Sequence, residues 1–297
     1  MVTSQSEWFL KSLSLRGSIF GVVFPRAFLF GVLAIAVAVL HQYQPELPWD
    51  FGEYLINNVA LNLILGLLLV FRTNTAYERF WEGRKAWDEI IANIRTLLRE
   101  IHDTELENTE AAEPKQTAMV WLVALAIATK GHLRENLKEE QFESLLTKVE
   151  WQKINASANA PMLILQWLNY FTHEHINVVE RIPIQEKFTA LTNGVTSCER
   201  ILNTPLPFAY AIFLRKLILL YCFCLPFGLV QTLQWGSIPI TLPVSFVLLG
   251  VEAIAEEIED PFGKDENDLP LEELCQMLTK EAQEFNILQE PQESVGI

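Results

Sequence analysis

Three asparagines interrupt an otherwise apolar run and are the first residues whose chemistry suggests a function. Asn57, Asn58 and Asn62 lie between Tyr54 and Phe71. An amide side chain is costly in lipid, so these three should face protein or water. Two interpretations stay open. The asparagines form hydrogen bonds between the helices of a bundle, or they line the entrance to a hydrated path that narrows towards Phe71.

Residue types that carry catalysis or bind metals show no functional arrangement. Of the five histidines only His173 and His175 are close, and a spacing of two points them to different faces of a helix. The four cysteines form no Cys-x-x-Cys pair, and Cys222 and Cys224 stand in an apolar run. The motifs of serine hydrolases, zinc proteases and nucleotide-binding loops are missing. We therefore expect no enzymatic activity and expect reduced, structural cysteines.

The composition indicates a membrane protein. Half of the 297 residues are hydrophobic and 20% are charged, whereas soluble domains carry about 25% charged residues. Four apolar stretches predict membrane spans at residues 17–40, 54–72, 206–233 and 237–254. The net charge is −15, most of it after Glu252. This charge argues against a nucleic-acid partner, which needs a basic surface.

Basic residues flank the predicted spans on one side. They are Lys11, Arg16 and Arg26 near the first span, Arg72, Arg79, Arg84 and Lys85 after the second, and Arg215 and Lys216 within the third. Four spans with this distribution place both termini in the cytoplasm. The parts 73–204 and 255–297 are then cytosolic, and apolar residues at helical spacing predict helices there. Residues 117–128 predict a buried core helix, and Pro161 and Pro183 predict breaks.

Three blocks of the sequence resemble the bestrophin family, in its bacterial and plastid branch. Residues 71–90 carry an arginine and an asparagine after the second span, followed by a Tyr–x–Arg–aromatic–Trp–Glu–x–Arg run. Residues 197–217 resemble the motif entering the third span, and residues 259–272 resemble the acidic segment after the last span. The matching residues are Glu199, Arg200, Asn203, Pro205 and Pro207 in the second block, and Asp260, Pro261, Phe262, Gly263 and Asp268 in the third. The resemblance covers residues 5–285, so residues 1–297 are read as one channel domain.

The resemblance implies an all-α membrane protein in which four transmembrane helices continue into a cytosolic helical body. Five copies would surround one axial pore. The family's hydrophobic neck falls on Leu63, Leu67 and Phe71, and its cytosolic constriction falls near Ile182. A spacing of four keeps the neck residues on one helical face. Apolar residues at this spacing are also typical of a protein core, so spacing alone leaves both interpretations open.

The implied function is passive conduction of chloride and other small anions, bicarbonate among them, by a homopentamer in contact with membrane lipid. Two alternatives stay open: a cation-selective channel on the same fold, and a structural membrane protein that does not conduct. The resemblance further suggests a bacterium, cyanobacteria included, with the protein in the plasma membrane or the thylakoid membrane.

The acidic segment suggests the one cofactor to consider, Ca²⁺. Calcium-activated animal bestrophins hold Ca²⁺ in the corresponding segment, and Asp260, Asp265 and Asp268 could supply carboxylate ligands here. Lys264 and Asn267 depart from the animal pattern. The alternative is a solvated helix cap, with Asp260 preceding Pro261 at a helix N-terminus.

Overall fold

The computed structural model describes residues 18–47, 49–104 and 112–284, which form ten α-helices and two short 3₁₀-helices. In chain order the α-helices are α1 (Phe20–Tyr43), α2 (Asp50–Ile56), α3 (Val59–Asp103), α4 (Ala112–Leu133), α5 (Lys148–Ala156), α6 (Ala160–His175), α7 (Val178–Asn203), α8 (Phe208–Leu233), α9 (Ile238–Ile258) and α10 (Leu271–Glu284). The 3₁₀-helices are Glu139–Gln141 and Gln234–Ser237. Lys11 and Arg16, used above to orient the spans, lie outside the described residues.

The chain divides into two compact units. The first comprises residues 1–80, 205–260 and 265–267, and the second comprises 81–204, 261–264 and 268–297, each as far as it is described. Helix α3 belongs to both, since it runs without interruption from Val59 to Asp103. The predicted continuity between the second span and the following helix is therefore confirmed.

The first unit contains the apolar helices. Among the described residues, three helical stretches are long and apolar enough to cross a membrane: Phe20–Tyr43, Val59–Asp103 and the 51 residues of Phe208–Ile258. The third stretch is folded back on itself at Gln234, whose φ is 50°. It therefore contains α8 and α9, which correspond to the predicted third and fourth spans. Helix α1 packs against both α8 and α9.

A buried apolar cluster joins α1, α3, α8 and α9 in the first unit. Its members include Val23, Ala27, Leu65, Leu69, Leu214, Ile218, Cys222 and Leu249. Helix α2 approaches α8 so closely that side chains are excluded at the contact. A Cβ atom on Gly228 would lie 2.6 Å from the carbonyl oxygen of Gly52. Glycine is therefore required here by close approach of two backbones.

The second unit is a helical body with an apolar core. Helix α4 packs against α6 and α10, and α6 packs against α7. The predicted core helix at residues 117–128 is confirmed, since Leu122 through Ala126 are fully buried within α4. Pro161 lies in the first turn of α6, behind the N-cap Asn159. Pro183 lies inside α7, so the predicted break there is wrong; the helix already begins at Val178, after the N-cap Asn177.

Candidate functional site

The proposed neck residues form an exposed apolar stripe on α3. The exposed fractions of Leu63, Leu67 and Phe71 are 69%, 50% and 53%. Leu65 and Leu69, on the opposite face, are 3% and 7% exposed and belong to the buried cluster. The core interpretation of Leu63, Leu67 and Phe71 is therefore wrong within one chain. A row of large apolar side chains facing outward is typical of a lipid, partner or pore surface.

The three asparagines surround a break between α2 and α3. Helix α2 ends at Ile56 and α3 begins at Val59, so the predicted span 54–72 is divided near its start. The Asn58 side chain accepts a hydrogen bond from the backbone N–H of Leu61 at 3.1 Å, the geometry of an N-cap. Asn62 donates to the carbonyl oxygen of Ile56 at 2.7 Å.

These hydrogen bonds satisfy backbone groups at the break, and they do not join separate spans. The amide of Asn57 reaches Glu53 at 3.5 Å, within the same local segment. All three asparagines are nevertheless exposed. This exposure is compatible with the predicted entrance, which stays a prediction.

A buried ion pair fixes α3 immediately beyond the neck. The guanidinium of Arg72, only 2% exposed, donates to a carboxylate oxygen of Glu259 at 2.6 Å. The other carboxylate oxygen accepts from the backbone N–H of Leu206 at 3.1 Å. The carbonyl oxygen of Glu259 accepts from Arg79 at 2.8 Å. Glu259 therefore ties the end of α9 to α3 and to the start of the α8 segment.

A second ion pair joins α8 to α9. Arg215 donates to Glu252, which is buried, at 2.9 Å and also pairs with Glu256 at 2.9 Å. The two glutamates are four residues apart and share one helical face. Neither this pair nor the Arg72–Glu259 pair was anticipated from the sequence. The Arg215–Glu252 pair could have been suspected, because these two residues are opposite charges inside two neighbouring apolar runs.

Ile182, the proposed cytosolic constriction, lies near the start of α7 in the second unit. It is 59% exposed, and Val178 and Val179 beside it are exposed as well. An apolar patch at the beginning of α7 is therefore available to solvent or to another subunit. The two neighbouring histidines end α6, and His173 is 3.0 Å from a nitrogen of Arg181.

The acidic segment after α9 consists of turns, so the predicted helix cap at Asp260 is wrong. Helix α9 ends at Ile258, and the next helix begins only at Leu271. Asp260 and Asp265 line a cavity of about 400 Å³ in the first unit. Other residues lining it include Arg26, Glu256, Glu257 and Glu266. Asp268 belongs to the second unit.

No cluster of three His, Cys, Asp or Glu side chains has the arrangement of a metal site, within residues 18–47, 49–104 and 112–284. The geometry of these residues therefore lends no support to the Ca²⁺ site at Asp260, Asp265 and Asp268, which stays an expectation from the resemblance.

Residues of the second signature block hold the second unit together. One carboxylate oxygen of Glu199 accepts from the Asn159 amide at 2.7 Å and lies 3.0 Å from a ring nitrogen of His132. The next residue, Arg200, donates to Glu82 at 2.6 Å. These contacts link α4, α6, α7 and the second part of α3. The block therefore has a structural role in this unit.

The third signature block is held by the end of α4 and by Arg134, the residue directly after it. The guanidinium of Arg134 donates to the carbonyl oxygens of Phe262 and Leu269, both at 3.2 Å. The ammonium of Lys130, which is buried, donates to Glu272 at 2.6 Å. This hydrogen bond holds the pKa of the Glu272 carboxyl below its ordinary value.

All four cysteines are buried as free thiols. Burial raises the pKa of Cys198 and of Cys275 to about 12. A thiol reacts as the thiolate, so these two side chains are unreactive near neutral pH. The prediction that the cysteines are reduced and structural agrees with this burial.

Fold and site together define the class of this protein. Apolar helices of spanning length, ion pairs between them and an apolar stripe left exposed on α3 describe a helical integral membrane protein. The chain belongs to the bacterial and fungal bestrophin family, whose model matches residues 1–284. The resemblance noted in the three signature blocks is therefore confirmed.

Relatives and solved structures agree over nearly the whole chain. A voltage-dependent anion channel-forming protein of Nostoc is 39% identical, the match covering 97% of this chain and 94% of the relative. A protein of the same description from Synechocystis is also 39% identical, and the match covers 89% of this chain and 86% of the relative. The crystal structure of a bacterial bestrophin homologue from Klebsiella pneumoniae matches with a TM-score of 0.78 at 25% identity, covering 89% of this chain and 98% of that one.

Proposed function

We propose that this protein is a homopentameric channel that conducts chloride and other small anions, bicarbonate included, passively across a bacterial or cyanobacterial membrane. The single observation that carries the proposal is the apolar stripe of Leu63, Leu67 and Phe71, which points away from the packed core of its own subunit. The description of the relatives as anion channel-forming proteins supports the same function. Conduction needs no chemistry, and the sequence carries no catalytic motif.

Assembly explains why the stripe is exposed. One chain supplies too few helices to enclose a water-filled path, so α3 must meet copies of itself around a central axis. Exposed leucine and phenylalanine side chains from five copies would then form successive apolar rings at the levels of Leu63, Leu67 and Phe71. A narrow apolar ring excludes water and gates conduction by dewetting. An ion that loses hydration there meets a barrier of several kcal/mol.

Selectivity for anions follows from the break before α3. The helix begins at Val59, and the partial positive charge of a helix N-terminus lies within its first turn. Five such N-termini, with the amides of Asn57, Asn58 and Asn62, would face ions entering the path. Arg72, at the other end of the stripe, is neutralised by Glu259 and contributes no free charge. The entrance is therefore the element that favours anions.

Truncation of the stripe tests this proposal. We expect Leu67→Ala, and more strongly the triple variant Leu63→Ala/Leu67→Ala/Phe71→Ala, to raise the open probability in planar bilayers with little change of ion preference. The matched control is Leu69→Ala, which shortens the same residue type on the buried face of the same helix. It should lower stability without opening the channel.

Two results would contradict the proposal. Light scattering in mild detergent should give about five times the 34.0 kDa mass of one chain, and a stable monomer or dimer would exclude an axial pore. A triple variant that assembles normally and conducts like wild type, while Leu69→Ala opens the channel, would show that the other face of α3 lines the path.

The orientation of the chain completes the proposal. We place both termini in the cytoplasm, because Arg26, Arg72 and Arg215 lie at the same ends of the apolar helices in a four-span arrangement. Cysteine-accessibility labelling of a residue introduced at 44–47, directly after α1, should then succeed from outside the cell.

A further inference from the structure

An aromatic cavity in the second unit includes none of the residues assigned to the pore. Its volume is about 380 Å³, and it opens between α4, α5 and α6. Trp121 and Trp167 form its walls, with ring centroids 5.5 Å apart and planes inclined by 50°. Tyr170, one turn after Trp167 on α6, also lines the cavity and is 68% exposed. Three aromatic rings therefore face one open space.

Hydrogen bonds fix the inner wall in place. The indole N–H of Trp121 donates to one carboxylate oxygen of Glu150 at 2.7 Å. The other oxygen of Glu150 accepts from the backbone N–H and the hydroxyl of Thr147, at 2.8 and 2.7 Å. The carboxylate is thus held by the capping box that starts α5. Ligand binding would need little ordering of this wall, which favours affinity.

The cavity is lined by one acidic and one basic side chain, Glu150 and Lys153, about one helical turn apart on α5. Glu150 supplies a negative charge beside the tryptophans, but Trp121 and Thr147 already donate to its two oxygens. A methylated ammonium group, which donates no hydrogen bond, suits such a wall and is attracted by aromatic faces. Lys153 lies one helical turn further along α5 and lines the same cavity. No hydrogen bond or ion pair of its side chain is present in the described part of the chain, so its ammonium is available to an anionic group.

We propose that this cavity binds a small zwitterion in which a trimethylammonium group is joined by a short linker to a carboxylate or a phosphate. Trp121 and Trp167 already touch each other, so the trimethylammonium group packs against the aromatic lining of the cavity near Glu150 rather than between the two indoles, and the anionic group reaches Lys153. One helical turn separates the two charged residues by about 5 Å along the axis, which a short linker spans. Free trimethylglycine and the phosphocholine headgroup of a lipid share this chemistry. The proposal is independent of ion conduction.

Ligand-observed NMR on the full-length protein tests the proposal. The protein is purified in a maltoside detergent without choline groups, and saturation transfer to the trimethyl resonance of trimethylglycine is titrated. We expect a saturable signal that Trp167→Ala weakens at least tenfold and that Trp167→Phe partly restores. Trp151→Phe is the matched control, because Trp151 stacks on Phe142 and does not line this cavity; it should bind like wild type.

Lys153→Gln separates a zwitterion site from a plain cation site. It should weaken trimethylglycine binding several-fold and leave choline binding unchanged, since choline lacks an anionic group. Nanodiscs of phosphatidylcholine should abolish the trimethylglycine signal if the source is a lipid headgroup, and should leave it intact if the source is a free solute. The absence of saturable transfer, equal binding by a correctly assembled Trp167→Ala variant, or equal loss of both ligands in Lys153→Gln would overturn the proposal.

Discussion

Removing the charge of Glu259 should destabilise the protein far more than removing an exposed carboxylate. Glu259→Gln keeps one oxygen, which can accept from Arg72 or from the Leu206 N–H but not from both, and it leaves the guanidinium of Arg72 buried without a counter-charge. Two of its nitrogens, Nε and Nη1, already have no hydrogen-bond partner among the described residues. Breaking a buried ion pair costs about 3–5 kcal/mol. Because Glu259 is 19% exposed, water screens part of the interaction, and we expect the substitution to lower the free energy of unfolding by about 2–3 kcal/mol.

A double-mutant cycle isolates the pair. Unfolding of wild type, Arg72→Met, Glu259→Gln and the double variant is followed by circular dichroism during SDS titration in mixed micelles. The loss of unfolding free energy in the double variant should be smaller than the sum of the losses in the two single variants, by a coupling energy of about 2 kcal/mol. The control is Asp88→Asn, which removes an exposed pair with Arg84 and should cost less than about 0.5 kcal/mol. A Glu259→Gln effect no larger than this control, or zero coupling, would refute the reasoning.

Three further predictions address the cytosolic contacts, the thiols and calcium. Glu272→Gln should lower the free energy of unfolding by about 1 kcal/mol at pH 7, since a charge-assisted hydrogen bond is lost from a half-exposed carboxylate. Because the pKa of Glu272 is lowered in the native state, the difference from wild type should vanish as acid protonates this carboxylate in the folded protein. Thermal unfolding measured between pH 7 and pH 3 tests this. Maleimide at pH 8 should leave Cys198 and Cys275 unmodified until denaturant is added, and mass spectrometry detecting their labelling in the native protein would contradict their burial. Asp265→Ala/Asp268→Ala should conduct like wild type both in chelator and in micromolar Ca²⁺; a wild type that needs Ca²⁺, with a variant that has lost this response, would instead support a calcium site.

The spans and the helical body could be predicted because their patterns are local. Apolar runs of spanning length and apolar residues at helical spacing report on burial within one element. The break before α3 escaped the same reasoning. Asn58 and Asn62 were interpreted as polar residues within one continuous helix, whereas their side chains satisfy backbone groups where α2 ends and α3 begins. A helix cap depends on local backbone geometry, which the mean hydropathy of a run does not show.

Contacts between distant segments could not be predicted from one sequence. Arg72 and Glu259 are 187 positions apart, and no periodicity relates them. The error at Asp260 has a different cause. Proline is favoured both at the first position of a helix and inside a turn, and at Pro261 the chain forms turns. The exposure of the proposed neck residues could be predicted only from the family resemblance, since their spacing fits a protein core equally well.

Ion selectivity is the most direct test of the central claim. Purified protein is reconstituted into planar bilayers, and the reversal potential is measured under a KCl gradient, followed by bi-ionic replacement of chloride by bicarbonate. The account predicts a reversal potential close to the chloride equilibrium potential, and the same preference in the Leu63→Ala/Leu67→Ala/Phe71→Ala variant with its widened neck. A reversal potential close to that of potassium would contradict anion conduction and would establish a cation channel on this fold.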